Sequence, residues 1–124
     1  MRLPGGTAHL TYCSNIHPGE RWAEVADNLR RHVPAVRARV CPNDAFGIGL
    51  RIGAEATREL SDPDTRREFA DWLAEADAYV FTLNGFPYGP FHGTTVKQGV
   101  YRPDWTEPAR LRYTEALVDV LAEL

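Results

Sequence analysis

Phe46-Gly-Ile-Gly-Leu-Arg-Ile52 is the stretch of sequence that decides the fold. Large apolar residues alternate with two glycines and an arginine, so one face of a strand is bulky and the other nearly bare. Glycine weakens a strand unless another group must approach its backbone closely. We therefore expect the bulky face to pack against helices and the glycine face to line a tightly packed barrel interior. Arg51 would point inward from the C-terminal end of this strand.

The sequence on either side of this stretch alternates between strand and helix patterns. β-Forming residues predict strands over residues 9–13 and 79–83, and apolar residues at helical spacing predict helices after each strand. Pro34 lies inside the first helical pattern and is expected to end or kink that helix near His32 or Val33. Strand–helix alternation of this kind predicts an α/β fold with βαβ units and a parallel sheet in the order 1-2-3.

The third predicted strand also has two unlike faces. We expect its bulkier residues to face the helices and its smaller, more polar residues to face inward. The bulky set is Tyr79, Phe81 and Leu83, and the inward set is Val80, Thr82 and Asn84. Asn84 and Arg51 therefore end neighbouring strands at the carboxyl edge of the sheet, which is where α/β proteins bind ligands.

Residues 84–105 form a long connection with five aromatic residues, which favours an ordered functional loop over a disordered one. His92 is the strongest candidate for an acid/base, although it could merely brace the loop. Lys97 is suited to anchor an anionic or hydroxyl oxygen, or is a surface lysine. Tyr88 could stack on a ligand or pack within the loop. His17, in the loop after the first strand, is expected at the same edge, or simply begins a helix.

Composition excludes several classes of function. The chain has 14 Lys and Arg against 17 Asp and Glu, without a basic stripe, so we expect no nucleic-acid partner. No apolar run approaches the ~20 residues of a membrane span, and we expect a cytoplasmic protein. Cys13 and Cys41 are then free thiols. Trp22 and Trp105 are assigned to packing, and Asp104 is expected to accept hydrogen bonds from backbone amides.

Common catalytic motifs are missing from the sequence. It has no G-x-G-x-x-G, no P-loop and no G-x-S-x-G, and it lacks a complete set of metal ligands. The chain therefore holds part of a site without an evident complete catalytic centre.

Three stretches carry a resemblance to a known family. They are Leu-Thr-Tyr-Cys-Ser-Asn-Ile-His-Pro-Gly-Glu at 10–20, Phe-Gly-Ile-Gly-Leu-Arg at 46–51 and Tyr-Val-Phe-Thr-Leu-Asn-Gly-Phe-Pro-Tyr-Gly-Pro-Phe-His at 79–92. The sequence resembles the EboE metabolite traffic proteins, which are xylose-isomerase-like (sugar phosphate isomerase/epimerase) TIM barrels. The resemblance implies that the chain is the N-terminal portion, about three βα units, of a TIM (β/α)8 barrel. The remaining units would follow C-terminally, and the chain alone would aggregate or fold by association.

The resemblance also implies a function. The ligand would be a small, polar, sugar-like metabolite in a processing or export pathway, with partner proteins from that pathway. The protein is then either isomerase- or epimerase-like, with this chain alone inactive, or a barrel that binds a metabolite without turnover. In related isomerases a divalent metal is held by Glu, Asp and His of later strands, which this chain lacks. The predicted site has His92 as acid/base and these ligand-binding residues: Arg51, Asn84, Tyr88, Lys97 and His17.

A mutational expectation follows for this site. Replacing Arg51 or His92 by alanine in the complete protein should lower ligand affinity or turnover. Stability should barely change, because residues at such an edge bury little apolar area.

Overall fold

The structure is a computed structural model that describes residues 1–90 and 99–124. Its described strands are β1 (Tyr12–Cys13), β2 (Phe46–Arg51) and β3 (Ala78–Asn84). They form a parallel sheet in the order β1-β2-β3, as predicted. The carboxyl edge of the sheet is the edge at which Cys13, Arg51 and Asn84 end their strands.

Helices connect the strands. The helices of the described residues are α1 (Trp22–Val40), α2 (Ala54–Leu60), α3 (Pro63–Glu75) and α4 (Pro108–Glu123). Short 3-10 turns occupy Ser14–Ile16 and Gly99–Tyr101. The break between α2 and α3 follows from Asp62, whose carboxylate accepts a hydrogen bond from the Thr65 amide and caps the new helix.

Helix α1 continues through Pro34 to Val40 and does not end before the proline as expected. Pro34 has no N–H to donate to the carbonyl of Arg30, and its ring normally disturbs that turn. Both residues are exposed, so the carbonyl without a helical partner lies on the solvent side. Leu29 and Val33 are buried on the core-facing side of the helix, and their packing keeps the helix continuous.

The bulky face of β2 forms the centre of the core, as predicted. Its residues are fully buried against the helices: Phe46, Ile48, Leu50 and Ile52. Each such side chain stabilises the fold by roughly 1.5–3 kcal/mol relative to leaving it in water. The alternation in this strand therefore determines which side of the sheet the helices cover.

The glycine face of β2 is approached closely, and at Gly47 the approaching group is the chain's own N-terminal segment. Residues 1–10 fold back as a hairpin, with an antiparallel bridge between Arg2 and His9. A Cβ atom on Gly47 would lie 2.5 Å from the Met1 nitrogen and 3.1 Å from the Tyr79 hydroxyl. The space at this position is therefore already filled by backbone atoms and the Tyr79 hydroxyl.

Strand β3 contains a β-bulge. Ile48 lies opposite Val80, whereas the next residue of β2, Gly49, lies opposite Thr82. Phe81 has no counterpart in β2. An additional residue of this kind reverses the alternation of side chains on one side of the bulge.

The predicted faces are consequently wrong for the first half of β3. Tyr79 lies on the same face as Gly47, with its hydroxyl 2.7 Å from Nδ1 of His9. Phe81 is 45% exposed and its ring stacks on His9. Val80 packs against the core instead of facing inward. Beyond the bulge the predicted faces are correct.

Candidate functional site

Arg51 and Asn84 end adjacent strands and lie opposite each other in the sheet, as predicted. Arg51 is nevertheless only 4% exposed. Its guanidinium donates hydrogen bonds to the carbonyl oxygens of Gly19 at 3.1 Å, Gly89 at 3.3 Å and Pro87 at 3.5 Å. The side chain thus joins the loop after β1 to the loop after β3.

Two further groups hold Arg51 in place. The Glu20 carboxylate lies 3.6 Å from its Nη1 atom. The backbone N–H of Arg51 donates a hydrogen bond of 2.8 Å to the Ser14 hydroxyl. At this point β1 has ended, so no carbonyl of that strand is available as acceptor. Arg51 is therefore a buried residue that positions two loops. The premise that it buries little, and so can be removed without loss of stability, is wrong.

Asn84 shapes the start of the loop after β3. Its side-chain oxygen accepts a hydrogen bond from the Phe86 amide at 3.1 Å, and its carbonyl accepts one from Ile52 at 3.4 Å. Within residues 1–90 and 99–124, its side-chain nitrogen makes no hydrogen bond. The Asn84 side chain thus lies where the loop leaves the carboxyl edge.

Tyr88 also lies near this edge, where its ring packs against protein. Its carbonyl accepts a hydrogen bond from the Ala54 amide at 2.8 Å. Its ring meets Tyr113 edge-on, with 5.1 Å between centroids. The Tyr113 hydroxyl donates to the Ile52 carbonyl, and burial raises the pKa of Tyr113 to about 12. These contacts fit a packing role for the Tyr88 ring better than stacking on a ligand.

His17 lies in a different environment from the other candidates. Its Nε2 atom is 2.5 Å from the Tyr12 hydroxyl, and its ring stacks on His32 at 4.2 Å. Tyr12 lies opposite Ile48 and so belongs to the helix-facing side. Burial, and secondly the charge of His32, lower the pKa of His17. No described contact joins His17 to Arg51.

His92 and Lys97 lie outside the described residues, so their roles stay predictions. The residues that flank this stretch, Pro90 and Gly99, line one cavity of about 200 Å³. Tyr88 lines the same cavity. Both described ends of the loop therefore meet near the carboxyl edge.

Exposed aromatic rings lie near both described ends of the loop, among the aromatic residues that the sequence singles out. Phe86 is 41% exposed and its ring lies 5.9 Å from that of Tyr101, which is 68% exposed. Trp105 is 71% exposed and contacts the Arg110 guanidinium, 4.7 Å from its ring centre. The packing role predicted for Trp105 is wrong, whereas Trp22 is buried as predicted. The density of aromatic residues in this loop was the available signal.

A network of charges fixes the C-terminal end of the loop. Arg102 contacts Asp104 at 2.9 Å and Glu107 at 2.7 Å. Asp104 accepts hydrogen bonds from the hydroxyl and backbone amide of Thr106, which confirms its predicted role and lowers its carboxyl pKa. Such exposed pairs contribute little stability individually, but they set the direction in which the chain enters α4.

The described residues do not offer a ligand set that fits a divalent metal. Among residues 1–90 and 99–124, no group of three or more His, Cys, Asp and Glu side chains is arranged to hold an ion. Cys13 and Cys41 are free thiols, as predicted. None of the described helices has the length and apolar character needed to cross a membrane.

Comparison with known proteins yields no relative: no protein family, no curated protein and no solved structure matches the chain. The fold and the site together define a mixed α/β domain with a candidate site at the carboxyl edge of its parallel sheet. The resemblance found in the sequence stays a prediction.

Proposed function

We propose that this chain binds a small, polar, sugar-like metabolite at the carboxyl edge, as part of a xylose-isomerase-like TIM-barrel protein. The observation that carries the proposal is the loop after β3. Arg51 and Asn84 fasten the start of this loop to the strand ends. Exposed rings stand at both of its described ends. The loop thus combines a rigid base with groups suited to a ligand.

The chemistry of this edge suits a carbohydrate. A sugar presents hydroxyl groups around its ring and C–H groups on its faces. The side-chain amide of Asn84 can donate to a hydroxyl, and rings such as those of Tyr101 and Trp105 can cover a C–H face. The Arg110 guanidinium beside Trp105 offers hydrogen bonds to a hydroxyl or phosphate oxygen.

His92 and Lys97 have distinct roles in the proposal. An imidazole titrates near neutral pH and can move a proton between neighbouring carbons of a sugar during isomerisation. An ammonium group stabilises a developing oxyanion or holds a phosphate. Arg51 acts indirectly, by holding the loop that carries both residues.

Binding without turnover is the second candidate function. The Arg51 side chain favours it, because the cation at the end of β2 is occupied by three carbonyl groups and does not reach a substrate. The protein would then hold the metabolite for a pathway partner.

Thermal unfolding of the full chain with aldoses, ketoses and their phosphates tests the proposal. A ligand at about 100 times its Kd should raise Tm by several degrees, and His92→Ala and Lys97→Ala should reduce the rise. Proton exchange or interconversion of the best ligand, followed by NMR, separates isomerase from carrier. A panel that leaves Tm unchanged throughout argues against a sugar site.

A further inference from the structure

A second groove lies between α2 and α4 and shares Tyr88 with the cavity at the loop ends. Its volume is about 390 Å³. Small side chains line it, namely Ala54, Ala109 and Ala116, together with the aromatic residues Tyr88 and Tyr113. Methyl groups and ring surfaces provide room and apolar contact for a compact ligand body.

Two arginines line the same groove, Arg58 from α2 and Arg112 from α4. Both are exposed, and among the described residues neither takes part in a hydrogen bond or an ion pair. Arg21 and Arg66, by contrast, are engaged, Arg21 with Glu59 and Arg66 with Glu123. Within the described ranges 1–90 and 99–124, neither guanidinium has a carboxylate within ion-pair distance, although the charge of Arg58 contributes to the lowered pKa of Glu59.

Two guanidinium groups on one groove match the charge of an oxyanion. Arginine donates paired hydrogen bonds to phosphate and carboxylate oxygens. A phosphate monoester carries a charge of about −1.5 to −2 at pH 7, which balances two guanidinium charges better than one carboxylate does. We propose that the α2/α4 groove binds a phosphate monoester with a compact apolar body, the phosphate between Arg58 and Arg112 and the body against the alanines.

Phenyl phosphate is a suitable probe, with inorganic phosphate and phenol as its separate parts. Phenyl phosphate is titrated into the full chain while ¹H–¹⁵N NMR follows the amide chemical shifts. The shifts of the groove residues should change and reach a plateau as the site fills. Arg58→Gln and Arg112→Gln should each weaken binding about fivefold or more, as expected for a charge-assisted hydrogen bond. Ala116→Leu should weaken it without changing charge. Arg39→Gln removes an exposed arginine of α1 outside the groove and should leave binding unchanged.

The relative affinities of the three compounds and of the variants test the proposal. Tighter binding of phenyl phosphate than of either part, with losses confined to the three groove variants, supports it. Equal losses in Arg39→Gln, or phosphate binding as tightly as phenyl phosphate, would reveal non-specific charge attraction and overturn it. Absence of saturation below about 10 mM, which corresponds to less than ~3 kcal/mol of binding, would overturn it too. A melting curve for each variant establishes that it is folded.

Discussion

The guanidinium of Arg51 donates a hydrogen bond of 3.3 Å to the carbonyl oxygen of Gly89. This contact spans the carboxyl edge and fastens the loop after β3 to the end of β2. The same side chain bonds to Gly19 in the loop after β1. One buried cation thus sets the relative positions of two loops, and its contribution to any binding site is made through them.

Arg51→Met should destabilise the protein by about 3 kcal/mol, because the apolar substitute leaves the buried carbonyl groups of two loops without their hydrogen-bond donor. Urea denaturation monitored by circular dichroism measures the change in the free energy of unfolding. Arg67→Met is the matched control, since the Arg67 side chain is 70% exposed and should change stability by less than about 0.5 kcal/mol. Equal midpoints for Arg51→Met and the parent chain would show that the hydrogen bonds do not hold the loops.

Gly47→Ala should also be costly. The added methyl group would lie 2.5 Å from the Met1 nitrogen and 3.0 Å from the Leu10 carbonyl oxygen, both backbone atoms. The N-terminal hairpin must shift to admit it, at a cost of about 1–3 kcal/mol. Gly89→Ala is the control, because a methyl group there would meet nothing within 4 Å. The two variants are compared by urea denaturation, and similar midpoints would contradict the close packing described for Gly47.

Much of the fold was predictable because short stretches of sequence determine its strands and helix starts. The alternation over Phe46–Arg51 determines a strand, its buried face and its glycine face without reference to the rest of the chain. Asp62 followed by Pro63 is a local sequence pattern typical of a helix N-terminus, and α3 begins there. The parallel order follows from the strand–helix alternation.

The remaining features depend on contacts between distant residues. Nothing in the local sequence marks Phe81 as the bulged residue, since neither glycine nor proline stands beside it. The bulge is apparent only when β3 is paired with β2. Pro34 is tolerated because it falls on the exposed side of α1, which is a property of packing. Likewise, the contacts of the His17 ring with Tyr12 and His32 are apparent only in the folded chain.

The environment of His17 predicts a pH dependence. Its pKa is lowered in the folded protein, chiefly by burial, so the unfolded chain takes up the proton first as pH falls. The stabilisation by neutral His17 is complete above the ordinary pKa of about 6.5 and is lost as pH falls through that value towards the folded pKa. The groups that face the ring are the Tyr12 hydroxyl and His32.

Urea midpoints measured between pH 7.5 and pH 5 test this dependence. His17→Gln removes the titrating group, and its midpoint should fall less over this interval than that of the parent chain. The difference between the two slopes reports on His17 together with His32, because the two rings stack and the charge of His32 acts on His17. Parallel curves would mean that folding does not disfavour protonation of His17.

The exposed rings of the loop should contribute to ligand binding while contributing little to stability. Trp105 is 71% exposed, and its described partner is the Arg110 guanidinium, a contact worth about 0.5–1 kcal/mol at an exposed site. If its ring covers a sugar face, Trp105→Ala should weaken binding about tenfold, the effect of losing ~1.4 kcal/mol of contact. Calorimetric titration with the sugar that raises Tm most gives the affinity. Val118→Ala, at a 61% exposed position on α4, is the control and should bind normally. Undiminished affinity in Trp105→Ala would place the ligand elsewhere, because a ring that forms one wall of the site cannot be removed without loss of contact area.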